Sequence, residues 1–130
     1  MELRSSAFSE GDTVPVRFTC EGANVSPPLG WSDVPDGSTQ LRLRVTDPDA
    51  PSGTFTHWLV TGIDPSATDV GEGSVPAGGT EERNSFGDAA YGGPCPPPGN
   101  RPHRYVFSVE ALDAEGSVVG SATLTARFGR

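Results

Sequence analysis

The chain has only two histidines, His57 and His103, and each stands at the start of a strand-like run. His57 opens "HWLVTGI" (57–63), and His103 precedes "RYVFSVEAL" (104–112). Each follows a proline-stiffened turn, "DPDAP" (47–51) for the first and "GPCPPPGNRP" (93–102) for the second. An imidazole can act as a base, ligate a metal or, when it donates N–H, hold an anion. Asp47 or Asp49 beside either ring would orient it and stabilise the imidazolium. If the two strands are neighbours in one sheet, both histidines and both turns gather at one end. They would then frame a pocket whose rim is stiffened by proline, which lowers the ordering cost of binding. The plainer reading is that these are strand-end residues and that Asp-Pro is an ordinary turn starter.

Other chemistry fits less well. Asp47, Asp49, His57 and His103 are the right types for a metal-dependent enzyme. The two carboxylates flank a proline, however, and a stiff turn need not aim both at one ion. A serine hydrolase would use Ser52 or Ser26, yet no G-x-S-x-G elbow surrounds either. Both enzyme readings rank low, and no metal or cofactor is expected. In a chain of net charge −8 an anion site must be made locally. Gly92 and Gly93 could expose backbone N–H groups to it. Tyr105 shares the face of His103, two residues on, whereas Trp58 points away from His57 on a regular strand. Arg104 also points away from His103, and a salt bridge to a turn carboxylate, Asp47 or Asp49, and a ligand contact are equal readings of it.

The elements that must position these residues read as strands. "TVPVRFTC" (13–20) alternates Val14, Val16, Phe18 and Cys20 against polar partners, with Pro15 marking an edge or bulge. "QLRLRVT" (40–46) turns Leu41, Leu43 and Val45 inward and Arg42 and Arg44 outward. "HWLVTGI" reads as a central strand, and "SATLTARF" (121–128) alternates again. No window carries a helical apolar stripe. The fold class is therefore all-β, an antiparallel sandwich in one domain over 1–130, with at most a short helical turn or two. Between Asp64 and Arg104 about 40 residues show little strand signal, and 13 of the 29 from Gly71 to Gly99 are Gly or Pro, which marks a long loop. Its first half reads as mobile, and its second half, with Phe86 and Tyr91, as packed.

Nine Arg, no Lys and seventeen acidic residues disfavour nucleic acid and anionic membranes as partners, because their phosphates call for clustered Lys or Arg. The Lys-free, acidic balance is read first as salt adaptation and second as codon bias. No apolar run spans a bilayer and the first residues show no signal-peptide core, so the cytoplasm is the expected location. There the default for Cys20 and Cys95 is two free thiols, with a bridge between them as the alternative.

Three motifs in order carry a resemblance. "SPPLGW" (26–31), "DPDAP" (47–51) with "THWLV" (56–60), and "YGGPCPPPGNRPHRYVF" (91–107) resemble the phosphatidylethanolamine-binding protein family, in its bacterial and archaeal branch of Raf-kinase-inhibitor-like proteins. The likeness runs from about Phe18 to Leu112, and "TARFGR" (125–130) looks like the closing strand. It implies a large antiparallel sheet against a smaller one, with one pocket for phosphate, acetate or a phospholipid head group. It implies a pocket wall from Asp47, Pro48, Asp49, Pro51, His57 and Trp58, with Trp58 ranked below His57 as a contact. The second motif would add Gly93, Pro94, Cys95, Pro96, His103 and Tyr105. It further implies a non-enzymatic regulator or inhibitor of a kinase or protease, and homodimer formation. Relatives usually carry a helical segment after the strand ending near Leu112. Here "DAEGSVVG" (113–120) leaves room for a turn only.

Overall fold

The computed structural model describes all 130 residues. Eight strands form two antiparallel sheets. The smaller sheet is β1 (Glu2–Arg4), β2 (Leu29–Ser32) and β5 (Asp69–Val70), in the order β1-β2-β5. The larger one adds β3 (Gln40–Asp47), β4 (Phe55–Ile63), β6 (Thr80–Glu81), β7 (His103–Leu112) and β8 (Val118–Phe128), in the order β6-β4-β3-β7-β8. The antiparallel sandwich expected from period-two alternation is thus the observed architecture. No helix is long and apolar enough to cross a membrane.

The core follows from the alternation. Leu41, Leu43 and Val45 of β3 stand opposite Ala111, Val109 and Phe107 of β7, and all six are fully buried. On the other side of β3, the partners in β4 are Ile63, Val60 and Trp58. Trp31 and Leu3 of the small sheet pack into the same cluster, and Phe8 meets Phe107 at a ring distance of 5.3 Å. Directly opposed apolar pairs of this kind are the unit of sheet stabilisation. On the outer face Arg42 and Arg44 both reach Glu110 across the β3–β7 ladder.

Two irregularities interrupt the β3–β4 ladder, and each puts one extra residue on β4. One lies near Gly62, whose φ of 68° only glycine adopts freely. The other falls between the pairs Val45–Trp58 and Thr46–Thr56, so the unmatched residue is His57. A bulge re-aims the side chain at the break. His57 and Trp58 are therefore both buried, although they are adjacent in sequence.

Residues 13–20 do not form the expected strand. Thr13 makes a single parallel bridge to Arg127, and Val16–Phe18 is a 3₁₀ turn. Pro15 has no N–H to give a ladder, and its carbonyl instead accepts Phe18 N–H at 3.0 Å. The tighter period puts Val14 and Phe18 inside and leaves Val16 53% exposed. The first half of the long loop, read as mobile, carries β5 and β6, short strands paired to β2 and β4. Residues 113–117 make only the turn of the β7–β8 hairpin, with Asp113 Oδ1 accepting from Glu115 and Ser117 N–H.

Candidate functional site

The "DPDAP" corner serves the distant histidine rather than the near one. Asp47 ends β3 and is buried. Its Oδ1 accepts the N–H of Asp49 at 2.8 Å, an Asx turn that sets the corner. Its Oδ2 lies 2.7 Å from Nδ1 of His103, whose side chain is 7% exposed. An acceptor-only carboxylate requires Nδ1 to carry the proton, which leaves Nε2 of His103 as the free ring atom. Asp49 faces away. Both its oxygens bind Arg104, through backbone N–H at 2.8 Å and the guanidinium at 3.0 and 2.8 Å. The Arg104 hydrogen bonds hold the Asp49 carboxyl at about 2, below the usual carboxylate range.

His57 is gripped by the loop that follows β6. Its Nδ1 donates to the Gly92 carbonyl at 2.7 Å, while its own carbonyl accepts Gly92 N–H at 3.0 Å. Here too Nε2 is the free ring atom. Phe55, Phe86 and Tyr105 surround the ring at centroid distances of 5.0, 5.4 and 5.3 Å. Burial among these rings pushes the His57 imidazole below the usual histidine range, although the Gly92 carbonyl and the Asp47 charge act the other way. The expectation that a nearby aspartate would favour the imidazolium fails at His57, because lost hydration outweighs a carboxylate that is bonded to the other ring.

Tyr105 stands between the two imidazoles, edge-on to His57 and stacked on His103 at 6.4 Å. Its hydroxyl is buried and has no hydrogen-bond partner in the protein. Burial, then the negative charge of Asp47, push its proton loss above the usual tyrosine range; the Asp47 carboxylate also lies near enough to attract the hydroxyl proton, but not in the geometry of a hydrogen bond.

These groups line one cavity of about 180 Å³. Of the residues the sequence proposed, Asp47, Pro51, His57, Cys95, Pro96, His103 and Tyr105 reach it. Pro48, Asp49, Gly93 and Pro94 do not line it. Trp58 is also absent, since its indole donates to Glu81 at 2.8 Å and its ring meets Tyr91. The four residues of the metal reading do not converge, because Asp49 belongs to Arg104. Ala50, Phe55, Phe86 and Pro97 line the cavity and were not anticipated.

The wall holding Cys95 is stitched to the segment after the 3₁₀ turn. Cys20 and Cys95 form a disulfide with Cα atoms 5.4 Å apart, so the default of two free thiols is overturned. Tyr91 Oη donates to Phe18 O at 2.7 Å, and Cys20 N–H to Pro94 O at 3.1 Å. Gly93 N–H donates to Asn24 Oδ1 at 2.8 Å. That bond and the one from Gly92 to His57 use both glycine N–H groups expected to form an anion nest. A β-carbon on Gly93 would lie 2.2 Å from the Phe18 carbonyl oxygen, so its glycine serves close approach. Asn84 shapes the loop from beneath, donating to Ala90 O at 2.7 Å and accepting the N–H groups of Phe86 and Asp88.

The family model described as phosphatidylethanolamine-binding protein matches residues 4–129. The chain belongs to the phosphatidylethanolamine-binding protein family. The crystal structure of YbcL from E. coli, titled a new member of the mammalian PEBP family, superposes at a TM-score of 0.93 with 30% identity, covering 99% of this chain and 98% of that one. A phosphatidylethanolamine-binding protein homologue from Chlamydia trachomatis gives a TM-score of 0.90 with 32% identity, covering 99% and 97%. A UPF0098 protein of Methanothermobacter thermautotrophicus is 38% identical over the whole of this chain and 99% of its own. A protein of Mycobacterium tuberculosis that carries the name lipoprotein LppC is 47% identical over 112 residues, 86% of this chain and 55% of its own. The chain thus spans about half the length of that relative. As a phosphatidylethanolamine-binding protein, it builds its cavity where the ends of β3, β4 and β7 meet the loop after β6.

Proposed function

We propose that the cavity between His57 and His103 binds a small anion, such as phosphate, acetate or the phosphoryl group of a head group, without chemical conversion. The observation that carries this reading is the convergence of two free Nε2 atoms and one unpartnered buried hydroxyl on the same small space. Buried polar groups find a hydrogen-bond partner as a rule, so the Tyr105 hydroxyl awaits one, and the two ring nitrogens stand free beside it. Size supports it: about 180 Å³ is below the range for drug-sized ligands and equals roughly six waters at ~30 Å³ each. Tyr105 donates as it stands. His57 already gives its Nδ1 proton to Gly92, so its Nε2 donates only after protonation. Anion binding therefore takes up a proton.

Titrating phosphate while watching the two imidazole resonances tests the reading, since only two histidines contribute. Both resonances should shift, with tighter binding as pH falls from 7.5 to 6. Two unmoved resonances at saturating phosphate would refute it. A kinase or protease regulated through the cavity rim is the physiological role that the family likeness implies. The Cys20–Cys95 bridge favours an oxidising compartment over the cytoplasm expected from composition.

A further inference from the structure

An open groove of about 400 Å³ adjoins the cavity and shares His103 with it. Asp49, Asn100, Arg101, Pro102, Arg104 and Arg127 complete its lining, which has no aliphatic or aromatic hydrophobe. Three of the nine arginines therefore meet here, in a chain of net charge −8. Elsewhere Arg17, Arg42, Arg44 and Arg130 each reach a glutamate, as an acidic chain allows. Arg101 and Arg127 reach none, and their side chains make no hydrogen bond within the protein. The one carboxylate in the groove, Asp49, is saturated by Arg104.

Strand register sharpens the point. Arg104 of β7 stands directly opposite Arg127 of β8. Like charges in that position oppose sheet pairing. Asp49 neutralises Arg104 alone. The backbone of Arg127 is fixed on its other side, its N–H donating to Asp12 and its carbonyl accepting from Val14. Arg127 thus stands opposite a like-charged residue in the ladder and has no internal counterion.

We propose that this groove is a second anion subsite, so that the preferred ligand is a soluble compound carrying two phosphoryl groups. One sits in the cavity and the other between Arg101 and Arg127. Guanidinium forks match phosphoryl oxygens in pairs. The absence of an apolar wall leaves nowhere for an acyl chain, which favours a soluble ligand over a lipid. The inference rests on the anion reading of the cavity for the first group only.

Calorimetric titration with orthophosphate, pyrophosphate and tripolyphosphate, at fixed pH and ionic strength, tests it. Wild-type protein should bind tripolyphosphate at least about 10-fold more tightly than orthophosphate. Arg101→Gln with Arg127→Gln should erase that gain and leave orthophosphate affinity within about two-fold. These side chains are exposed, and thermal melts of the variant check that the fold is kept. Arg4, also unpaired but on β1, serves as the control. A ladder that is flat in the wild type, unchanged in the double variant, or equally reduced by Arg4→Gln overturns the subsite. Arg-dependent tripolyphosphate binding with no orthophosphate binding would keep the groove and reject the cavity reading.

Discussion

Replacing Tyr105 by Phe removes one buried oxygen from the wall of the cavity. The ring keeps its place between His57 and His103, because its packing is through the face and edge. In the free protein the hydroxyl carries a desolvation penalty with no partner to offset it. The variant should therefore be as stable as the parent or more stable, by up to about 1 kcal/mol. In the complex the same hydroxyl donates to a charged ligand, an interaction of about 1.5–3 kcal/mol. Its loss should weaken phosphate by about 10- to 150-fold. The assay is a pair of measurements on one preparation: thermal unfolding without phosphate, and calorimetric titration with it. Opposite signs are the signature of a group held for a ligand. A clear fall in melting temperature would mean that the hydroxyl already serves the fold, through Asp47. Unchanged phosphate affinity would mean that the anion lies out of its reach. Either result defeats the reasoning.

Three further outcomes are expected. Burial lowers the folded-state pKa of His57, so the unfolded chain binds its proton first, and stability falls as pH drops through about 6.5 and below; phosphate should reduce that acid loss, as melts across pH 5–8 with and without it will read. The disulfide closes a loop with a sequence separation of 75, so Cys20→Ser with Cys95→Ser should lose about 2–5 kcal/mol in denaturant titrations, against about 4 kcal/mol from loop-closure entropy. Gly93→Ala places a β-carbon 2.2 Å from a backbone oxygen and 2.5 Å from Asn24 Oδ1, and should cost at least about 1–3 kcal/mol by the same titration, with weaker phosphate binding.

The pair of histidines was legible because each follows a stiff turn and lies in the first residues of an apolar strand; the two strands are not the neighbours supposed from sequence but flank β3, and their like ends still meet at one cavity. So were the inner faces of β3 and β7, where alternation is clean. Pro15 misled because alternation looks the same in a strand as in a segment whose proline diverts it into a 3₁₀ turn. The partner of Asp47 was not legible: a carboxylate ten residues before one histidine bonds the other, across β3 and β7. Phe86 gave no periodic signal, since its loop is shaped by Asn84 side-chain bonds rather than by a repeating pattern. The glycine nest failed for a related reason, as Asn24, some 70 residues earlier in the chain, accepts the N–H expected to face a ligand.

The unmatched residue in β4 has a consequence for how this site can change over time. Removing one residue between Phe55 and Trp58 would let the ladder with β3 close evenly, and the sandwich would survive. The imidazole would be deleted or swung to the wrong side. An in-frame loss of one residue here would take His57 out of the cavity while sparing the pairing, which makes this short stretch a place where inherited length matters as much as inherited identity.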